Sequence, residues 1–258
     1  MRVLATILLA LAASAVADAA ARPPVAALTA SPARLALART GHGEIRVANS
    51  GASALVVDVG RAGLALAANG RPRALLGGAA ARRAASFLTV RPARLVLAPG
   101  RSARVAVTAT VRSRDVAGDH PALVLLTARA TGAHPVALHL RIGVTVVVSA
   151  GGKVLHRLVV RGLQVRPSGR TPVVVTSVAN LGNSVERLPA GALVVSLAVH
   201  GRVLARLRSR PRALLPGSVA VLMLPYRGVE RGRVTAAVAL SEPGRGGRVV
   251  RRRFRVTL

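Results

Sequence analysis

The sequence predicts an all-β protein made of two tandem antiparallel β-sandwiches that follow an N-terminal signal peptide. Three observations support this fold class. Apolar residues alternate with polar ones along many short segments, turn-forming Gly, Pro and Asn residues separate the segments, and a pair of turn motifs occurs twice along the chain. With 258 residues, 52% of them hydrophobic, the chain is long enough to bury the cores of two domains.

The first 20 residues are predicted to be a secretory signal peptide. Met1-Arg2 is a short basic start, residues 3–17 are small and apolar, and Ala15-Val16-Ala17 is a cleavage site of the A-x-A type. The apolar run is shorter than the about 20 residues that a spanning helix needs, and an uncleaved anchor is the alternative. We therefore expect an exported, extracytoplasmic protein of the cell envelope with no transmembrane segment in the mature chain.

Strand-like alternation is clearest in two segments. In residues 136–148 the even positions are Val, Leu or Ile, and in residues 104–112 the odd positions are Val or Ala. Because successive side chains of a strand point to opposite faces, each segment is predicted to be a half-buried strand. Shorter runs of this kind cover residues 44–49, 54–59, 122–128, 154–160, 173–179, 193–200, 219–224, 234–240 and 249–258. Two Ala-rich stretches, residues 62–68 and 78–86, are candidates for a helical turn.

An internal repeat predicts the number of domains. The segment Val47-Ala48-Asn49-Ser50-Gly51 recurs as Val178-Ala179-Asn180-Leu181-Gly182, and the Leu-x-Pro-Gly turn of residues 97–100 recurs at residues 214–217. Asn and Gly tolerate the left-handed backbone of tight turns, and an Asn amide can bond the turn itself. With the boundary at Ala150-Gly151-Gly152, the sequence predicts a signal peptide over residues 1–20 and sandwiches over residues 25–149 and 152–258.

The order of these motifs resembles that of bacterial immunoglobulin-like domains. The tandem arrangement is similar to that of PapD-like pilus chaperones and of WxL-interacting cell-surface proteins. The resemblance implies two immunoglobulin-like sandwiches and, in pilus chaperones, an exposed sandwich edge that accepts an extra strand from a partner. Pilus chaperones also grip a pilin carboxyl terminus with a basic pair, which this sequence does not single out among its 37 Arg. WxL-interacting proteins usually carry a C-terminal membrane helix, whereas residues 254–258 here are strand-like.

The charge of the chain is strongly positive, at +30, and nearly all of it comes from arginine, since Lys153 is the only lysine. Together with the high content of Ala, Gly, Val and Leu, the preference for Arg over Lys indicates a bacterial source with GC-rich codons. At surface positions that tolerate either residue, such codons favour Arg. The aromatic residues are Phe87, Tyr226 and Phe254 alone. Sugar sites and single-stranded nucleic-acid platforms depend on exposed aromatic rings, so we expect neither a lectin nor a nucleic-acid-binding protein.

Catalytic and metal-binding patterns are absent from the sequence. Without cysteine there is no thiol chemistry, and the carboxylates are scattered, with Asp115 and Asp119 the only close pair. The six histidines lack metal-ligand spacing, and His120 beside Asp119 is read as part of a loop that leads into a strand. No nucleophile elbow, zinc-protease or phosphate-loop motif occurs. The sequence therefore predicts a non-enzyme without cofactor or metal.

One charge cluster near the C-terminus is a candidate binding site. Arg251, Arg253 and Arg255 share the parity opposite to Phe254 and Val256, and would form an outward basic stripe on the last strand. The stripe could bind a partner or an anionic wall polymer, or it could protect an exposed edge from aggregation. We predict an exported protein-interaction or chaperone-like adaptor module with an unidentified envelope or surface partner. The alternative is a structural protein that its basic charge retains on anionic cell-wall polymer.

Overall fold

The computed structural model describes residues 26–67, 69–112, 117–131, 139–168, 171–242 and 248–258. The structure is 65% strand and 4% helix, and the strands form several antiparallel sheets in two sandwiches, which confirms the predicted fold class. The predicted signal peptide, residues 1–20, lies outside the described residues. The predicted domain boundaries at residues 25–149 and 152–258 stay a prediction.

The first sandwich packs two sheets of strands β1 to β10. One sheet has the order β1 (Leu28–Ser31), β3 (Thr40–Asn49), β8 (Ser102–Thr110) and β6 (Leu88–Arg91). The other has the order β2 (Arg34–Ala38), β10 (His139–Ser149), β9 (Asp119–Ala130), β4 (Leu55–Leu66) and β5 (Pro72–Leu75), with β7 (Arg94–Leu97) also on β4. Every pairing is antiparallel except that of β2 with β10, which is parallel.

The second sandwich is built from strands β11 to β19. Its smaller sheet has the order β11 (Leu158–Arg166), β12 (Val173–Asn180) and β17 (Val219–Pro225). The larger sheet has the order β15 (Arg202–Arg208), β14 (Leu193–Val199), β18 (Arg233–Ser241) and β19 (Val249–Thr257). A short ribbon pairs β13 (Glu186–Leu188) with β16 (Arg212–Leu214).

Each sandwich has its own hydrophobic core, formed by the alternating residues that its sheets turn inward. The first core includes Ile45, Val47, Val105, Val107, Val124, Leu126, Val146 and Val148. The second includes Leu158, Val174, Val178, Val195, Leu197, Leu222, Val238 and Leu240. Each Å² of apolar surface that is buried contributes about 25 cal/mol of stability, so these two cores are the main source of stability.

The repeated sequence motifs meet in space in both sandwiches. The buried side-chain amide of Asn49 donates to the carbonyl oxygens of Ser53 (2.8 Å) and Leu97 (3.0 Å) and accepts from the Gly51 N–H (2.9 Å). The Gly100 N–H of the Pro-Gly turn donates to the Asn49 carbonyl at 2.9 Å. The motif therefore ties two turns together through one buried amide.

Asn180 repeats this arrangement in the second sandwich. Its side chain donates to Ser184 (2.7 Å) and Leu214 (3.2 Å) and accepts from the Gly182 N–H (2.9 Å). The Gly217 N–H donates to the Asn180 carbonyl at 2.9 Å. The internal repeat in the sequence is thus a repeat of three-dimensional structure.

The Ala-rich stretches behave differently from one another. Residues 78–86 belong to a ten-residue helix, α1 (Gly78–Phe87), that buries Ala84 and Phe87 one turn apart. Residues 62–66, by contrast, continue strand β4. They stay extended because β4 pairs there with β9 and β5. On the outer face of this strand, Ala62 and Leu64 pack with Leu123 and Leu125 of β9 and with Leu215 of the second sandwich.

Candidate functional site

Strand β10 leaves part of its edge unpaired. It pairs with β9 along its whole length, but on its other side β2 covers only residues 145–149. Within the described part of the chain, residues 139–144 therefore have no neighbour on that side. An unpaired row of backbone N–H and C=O groups is a template for another strand.

The direction of these groups follows from one hydrogen bond. The Thr145 N–H donates to the Ala33 carbonyl at 3.1 Å, on the side of β2. Because backbone groups alternate in direction along a strand, the N–H and C=O groups of Arg141 and Gly143 also point to this side. Those of Leu140 and Ile142 point towards β9. The free edge thus offers the backbone groups of Arg141 and Gly143.

The side chains along this edge alternate as well. Leu140 and Ile142 are half-buried against the first core, whereas Arg141 and Gly143 are exposed. The predicted strand of residues 136–148 is confirmed over its described part, from residue 139. An edge with half-buried Leu and Ile side chains can extend its hydrophobic core into an added partner.

The two sandwiches meet near the other end of β10, where Asp119 of β9 lies opposite Ser149. The Asp119 carboxylate accepts hydrogen bonds from Ser184 Oγ (3.1 Å) and from the Val185 N–H (2.8 Å). The Asp119 N–H donates to the Asn183 carbonyl at 2.7 Å. A Cβ atom at Gly118 would overlap that same Asn183 carbonyl, so only glycine permits this close approach.

Arg34, the first residue of β2, lies in the cleft between the sandwiches. It lines a cavity of about 140 Å³ together with Leu64, Thr145 and Val147 of the first sandwich and Val185 and Leu215 of the second. Its Nε atom is buried, and no acceptor among the described residues reaches it. A buried donor without a partner costs about 1–3 kcal/mol, which a bound acceptor would recover.

The electrostatics of this cleft favour an anion. Partial burial lowers the pKa of the Arg34 guanidinium, the charge of Arg187 lowers it further, and the charge of Asp119 opposes both. Arginine nevertheless stays protonated at neutral pH, because its ordinary pKa lies far above 7. A carboxylate placed between Arg34 and Arg187 would be attracted by both cations.

The predicted basic stripe lies on β19, an edge strand of the larger sheet of the second sandwich. Arg251, Arg253 and Arg255 are exposed, on alternate positions of the same face. Their pairing residues on β18 are Ala239, Ala237 and Thr235. Their role in binding stays a prediction.

Other residues considered in the sequence have structural partners or lie outside the described ranges. The ring of His120 contacts that of Phe87 in a tilted arrangement, with centroids 5.6 Å apart and planes at 60°, and Asp115 is outside the described residues. Nowhere in the described ranges do three or more His, Asp or Glu side chains gather as a metal site requires. In the same ranges, no helix has the length and hydropathy needed to cross a membrane.

Several residues of these surfaces were not identified from the sequence. Arg34 carries no local signal that separates it from the other arginines, and only the parallel pairing of β2 with β10 brings it to the cleft. Arg206 and Arg208 lie exposed on β15, at the opposite edge of the sheet whose other edge strand, β19, carries the basic stripe. They could have been found, because they alternate with Leu207 in a strand-like run.

Comparison with known proteins gives a likeness of fold. The chain matches no protein-family model and no curated protein. It superposes on a chain of the chaperone–tip adhesin complex of CFA/I fimbriae biogenesis with a TM-score of 0.50 and 10% identity, over 88% of this chain and 98% of that one.

Two further solved structures are similar at lower scores. The CsuC–CsuE chaperone–tip adhesion subunit complex of Acinetobacter baumannii gives a TM-score of 0.47 and 10% identity, over 87% of this chain and 97% of that one. The YadV chaperone gives a TM-score of 0.46 and 13% identity, over 88% of this chain and 98% of that one. The superposition with a TM-score of 0.50 confirms, at the level of the fold, the predicted resemblance to PapD-like pilus chaperones.

Proposed function

We propose that this chain is an exported, non-enzymatic adaptor of the bacterial cell envelope that holds an extended segment of a surface protein, in the manner of a chaperone. The observation that carries the proposal is the free edge of β10 beside the Arg34 cleft. The fold of a chain from a chaperone–tip adhesin complex supports it.

The partner segment would add as a strand next to β10. The outward N–H and C=O groups of Arg141 and Gly143 supply the ladder of hydrogen bonds. Leu140 and Ile142, half-buried on the core side, supply the apolar contact. Main-chain bonding of this kind gives affinity with little sequence selectivity, while the spacing of side-chain pockets selects alternating apolar segments.

Arg34 would then fix the end of the added strand. Its guanidinium lies where β2 begins to pair with β10, since Arg34 is opposite Thr145 in the register. A strand that runs along residues 139–144 therefore ends close to this side chain. A C-terminal carboxylate there would accept from the buried Nε, in a charge-assisted bond about twice as strong as a neutral one.

A proline substitution provides the sharpest test of strand addition. Arg141→Pro removes an N–H that points to the free edge and is not used in pairing with β9, so we expect the fold to tolerate it. Arg141→Gln is the matched control, because it removes the same charge and keeps the N–H. The measurement is affinity purification of each variant from the envelope fraction at low salt, with partners quantified by mass spectrometry.

The wild type and Arg141→Gln should enrich the same envelope protein, and Arg141→Pro should lose it at least about tenfold, as for a lost interaction of about 1.4 kcal/mol. Arg34→Gln should weaken it to a similar extent through the missing carboxylate bond. The proposal fails if no envelope protein is enriched, or if Arg141→Pro retains as much partner as Arg141→Gln while both remain folded.

A further inference from the structure

Two rows of arginine face each other across the outer surface of the larger sheet of the second sandwich. The register of its four strands places Arg208, Val194, Ala239 and Arg251 side by side in one line across the sheet. The next line contains Arg206, Ser196, Ala237 and Arg253. Residues directly opposite one another in a sheet share a face, so each line begins and ends with an arginine.

These lines define a trough. Its floor consists of the small or short side chains of Val194, Ser196, Ala237 and Ala239, and its walls are Arg206 and Arg208 on β15 and Arg251 and Arg253 on β19. Three strand spacings separate the walls by about 14 Å, and the two arginines of each wall are about 6.7 Å apart along the strand.

The charge of this trough is not neutralised. Elsewhere Asp58 pairs with Arg94 and Arg129, Glu44 with Arg104, and Glu230 with Arg202. Among the described residues, the four wall arginines form no ion pair and no side-chain hydrogen bond, and all four are exposed. Four like charges around an uncharged floor produce a positive potential that a linear anion would neutralise.

A depression continues the trough at one end. It has a volume of about 480 Å³ and is lined by Arg255 and Thr257 of β19, Arg233 and Thr235 of β18, and His200 after β14. Two guanidinium groups and two hydroxyl groups in one depression are donors suited to phosphate oxygens. The predicted stripe residue Arg255 thus belongs to a larger anion-binding surface.

We infer that this surface binds an extended polyol-phosphate polymer, with its phosphodiesters between the two arginine walls and one phosphate in the depression. This interaction is separate from strand binding at β10 and does not depend on it. A phosphodiester keeps its charge at every physiological pH, and its two free oxygens match the fork of a guanidinium.

Edge protection, a lipid bilayer and nucleic acid each fit the geometry of the trough less well. Charges that protect sheet edges need only lie along each edge, and Arg252, which has the opposite parity on β19 and is also exposed, serves that purpose. A bilayer would call for bulky apolar residues on the face, whereas the floor is small. Nucleic-acid bases would find no aromatic side chain to stack on among the described residues of the trough.

The test compares the mature protein with two fourfold variants of equal charge. The trough variant replaces Arg206, Arg208, Arg251 and Arg253 with Gln, and the control variant replaces Arg71, Arg73, Arg82 and Arg83, which are exposed in the first sandwich. The probe is a linear poly(glycerol phosphate), and binding is measured by calorimetry over a range of salt. Poly-glutamate, oligo-dT of equal charge and vesicles with phosphatidylglycerol are the other ligands.

We expect poly(glycerol phosphate) to bind at least as tightly as the other three ligands. The trough variant should lose at least about tenfold in affinity near physiological salt and show a shallower salt dependence, because fewer counterions are released. The control variant should change less than about twofold, by the same principle. Equal losses in both folded variants, or tighter binding to poly-glutamate, oligo-dT or vesicles, would overturn the inference.

Discussion

The two sandwiches hold equivalent turns with equivalent hydrogen bonds, but their last strands differ in the residues that they expose. Asn49 and Asn180 each hold a Pro-Gly turn through equivalent hydrogen bonds. The last strand of the first sandwich, β10, has a free edge with Leu140 and Ile142. The last strand of the second, β19, carries Arg251, Arg253 and Arg255. The same turn structure can thus support a last strand with a free edge, as in β10, and a last strand covered with arginine, as in β19.

This difference shows that a strand's alternation alone does not decide its role. Both strands alternate, and both half-bury apolar residues against a core. What differs is the residues of the outward parity, which are Arg141 and Gly143 on β10 and a continuous series of arginines on β19. The arginines of β19 form a charged face on their sheet, whereas on β10 Gly143 leaves room for a partner strand at the free edge.

The largest effect that we predict concerns the buried asparagine amides that hold the turns of both sandwiches. Asn49→Ala and Asn180→Ala each remove three hydrogen bonds of a buried amide and leave their backbone partners unpaired, which should cost about 2–4 kcal/mol. The measurement is urea unfolding followed by far-ultraviolet circular dichroism, since the chain has no tryptophan. Asn69→Ala is the matched control, because the exposed Asn69 side chain accepts a single bond from the Arg71 N–H.

Comparable losses of unfolding free energy in Asn49→Ala and Asn180→Ala would show that the two asparagines support their sandwiches equally. The control should change stability by less than about 1 kcal/mol. If either buried variant were as stable as Asn69→Ala, the two motifs would not be equivalent supports.

A smaller effect is expected at the junction that joins the sandwiches. Asp119→Ala removes two charge-assisted hydrogen bonds, to Ser184 and Val185, and should lower the stability of the junction by about 1–3 kcal/mol. Because only the contact between the sandwiches is lost, the single unfolding transition expected for the wild type should split into two in Asp119→Ala, one for each sandwich. Differential scanning calorimetry checks this. An unchanged single transition would show that the apolar contact at Leu215 is sufficient to couple them.

The smallest effect concerns acid sensitivity in the first sandwich. The hydrogen bond from Arg94 lowers the pKa of Asp58 below the ordinary 3.8, with Arg129 acting in the same direction. The folded state therefore holds this proton less tightly than the unfolded state, so the stabilisation is complete above the unfolded pKa and is lost as pH falls through the folded pKa. NMR titration of Asp58 should show a lowered pKa that returns towards normal in Arg94→Gln. An ordinary pKa in the wild type would contradict this.

The sequence was sufficient for features that depend on local pattern. Period-two alternation identified the long strands, and the repeated Asn and Pro-Gly motifs identified the two-sandwich architecture. The glycine of each Pro-Gly turn has a positive φ, 70° at Gly100 and at Gly217. Asn49 and Asn180 do not adopt the left-handed backbone and act instead through the hydrogen bonds of their amides. The stripe on β19 was also located correctly on an outward face, since parity alone determines it.

Features that depend on long-range packing could not be obtained in this way. The parallel pairing of β2 with β10 joins segments about a hundred residues apart, and it alone places Arg34 in the cleft. The opposing wall of Arg206 and Arg208 acquires meaning only when the register of four strands is known. Likewise, Ala62 and Leu64 belong to a strand because β4 pairs there with β5 and with β9, which is distant in the sequence.

Hydrogen exchange at the free edge of β10 tests the central proposal most directly. In the free protein, the amides of Arg141 and Gly143 should exchange rapidly, while those of Leu140 and Ile142, which point to β9, should be protected. In the complex with its envelope partner, the amides of Arg141 and Gly143 should become protected. Rapid exchange of both amides in a complex that remains intact would contradict strand addition at this edge.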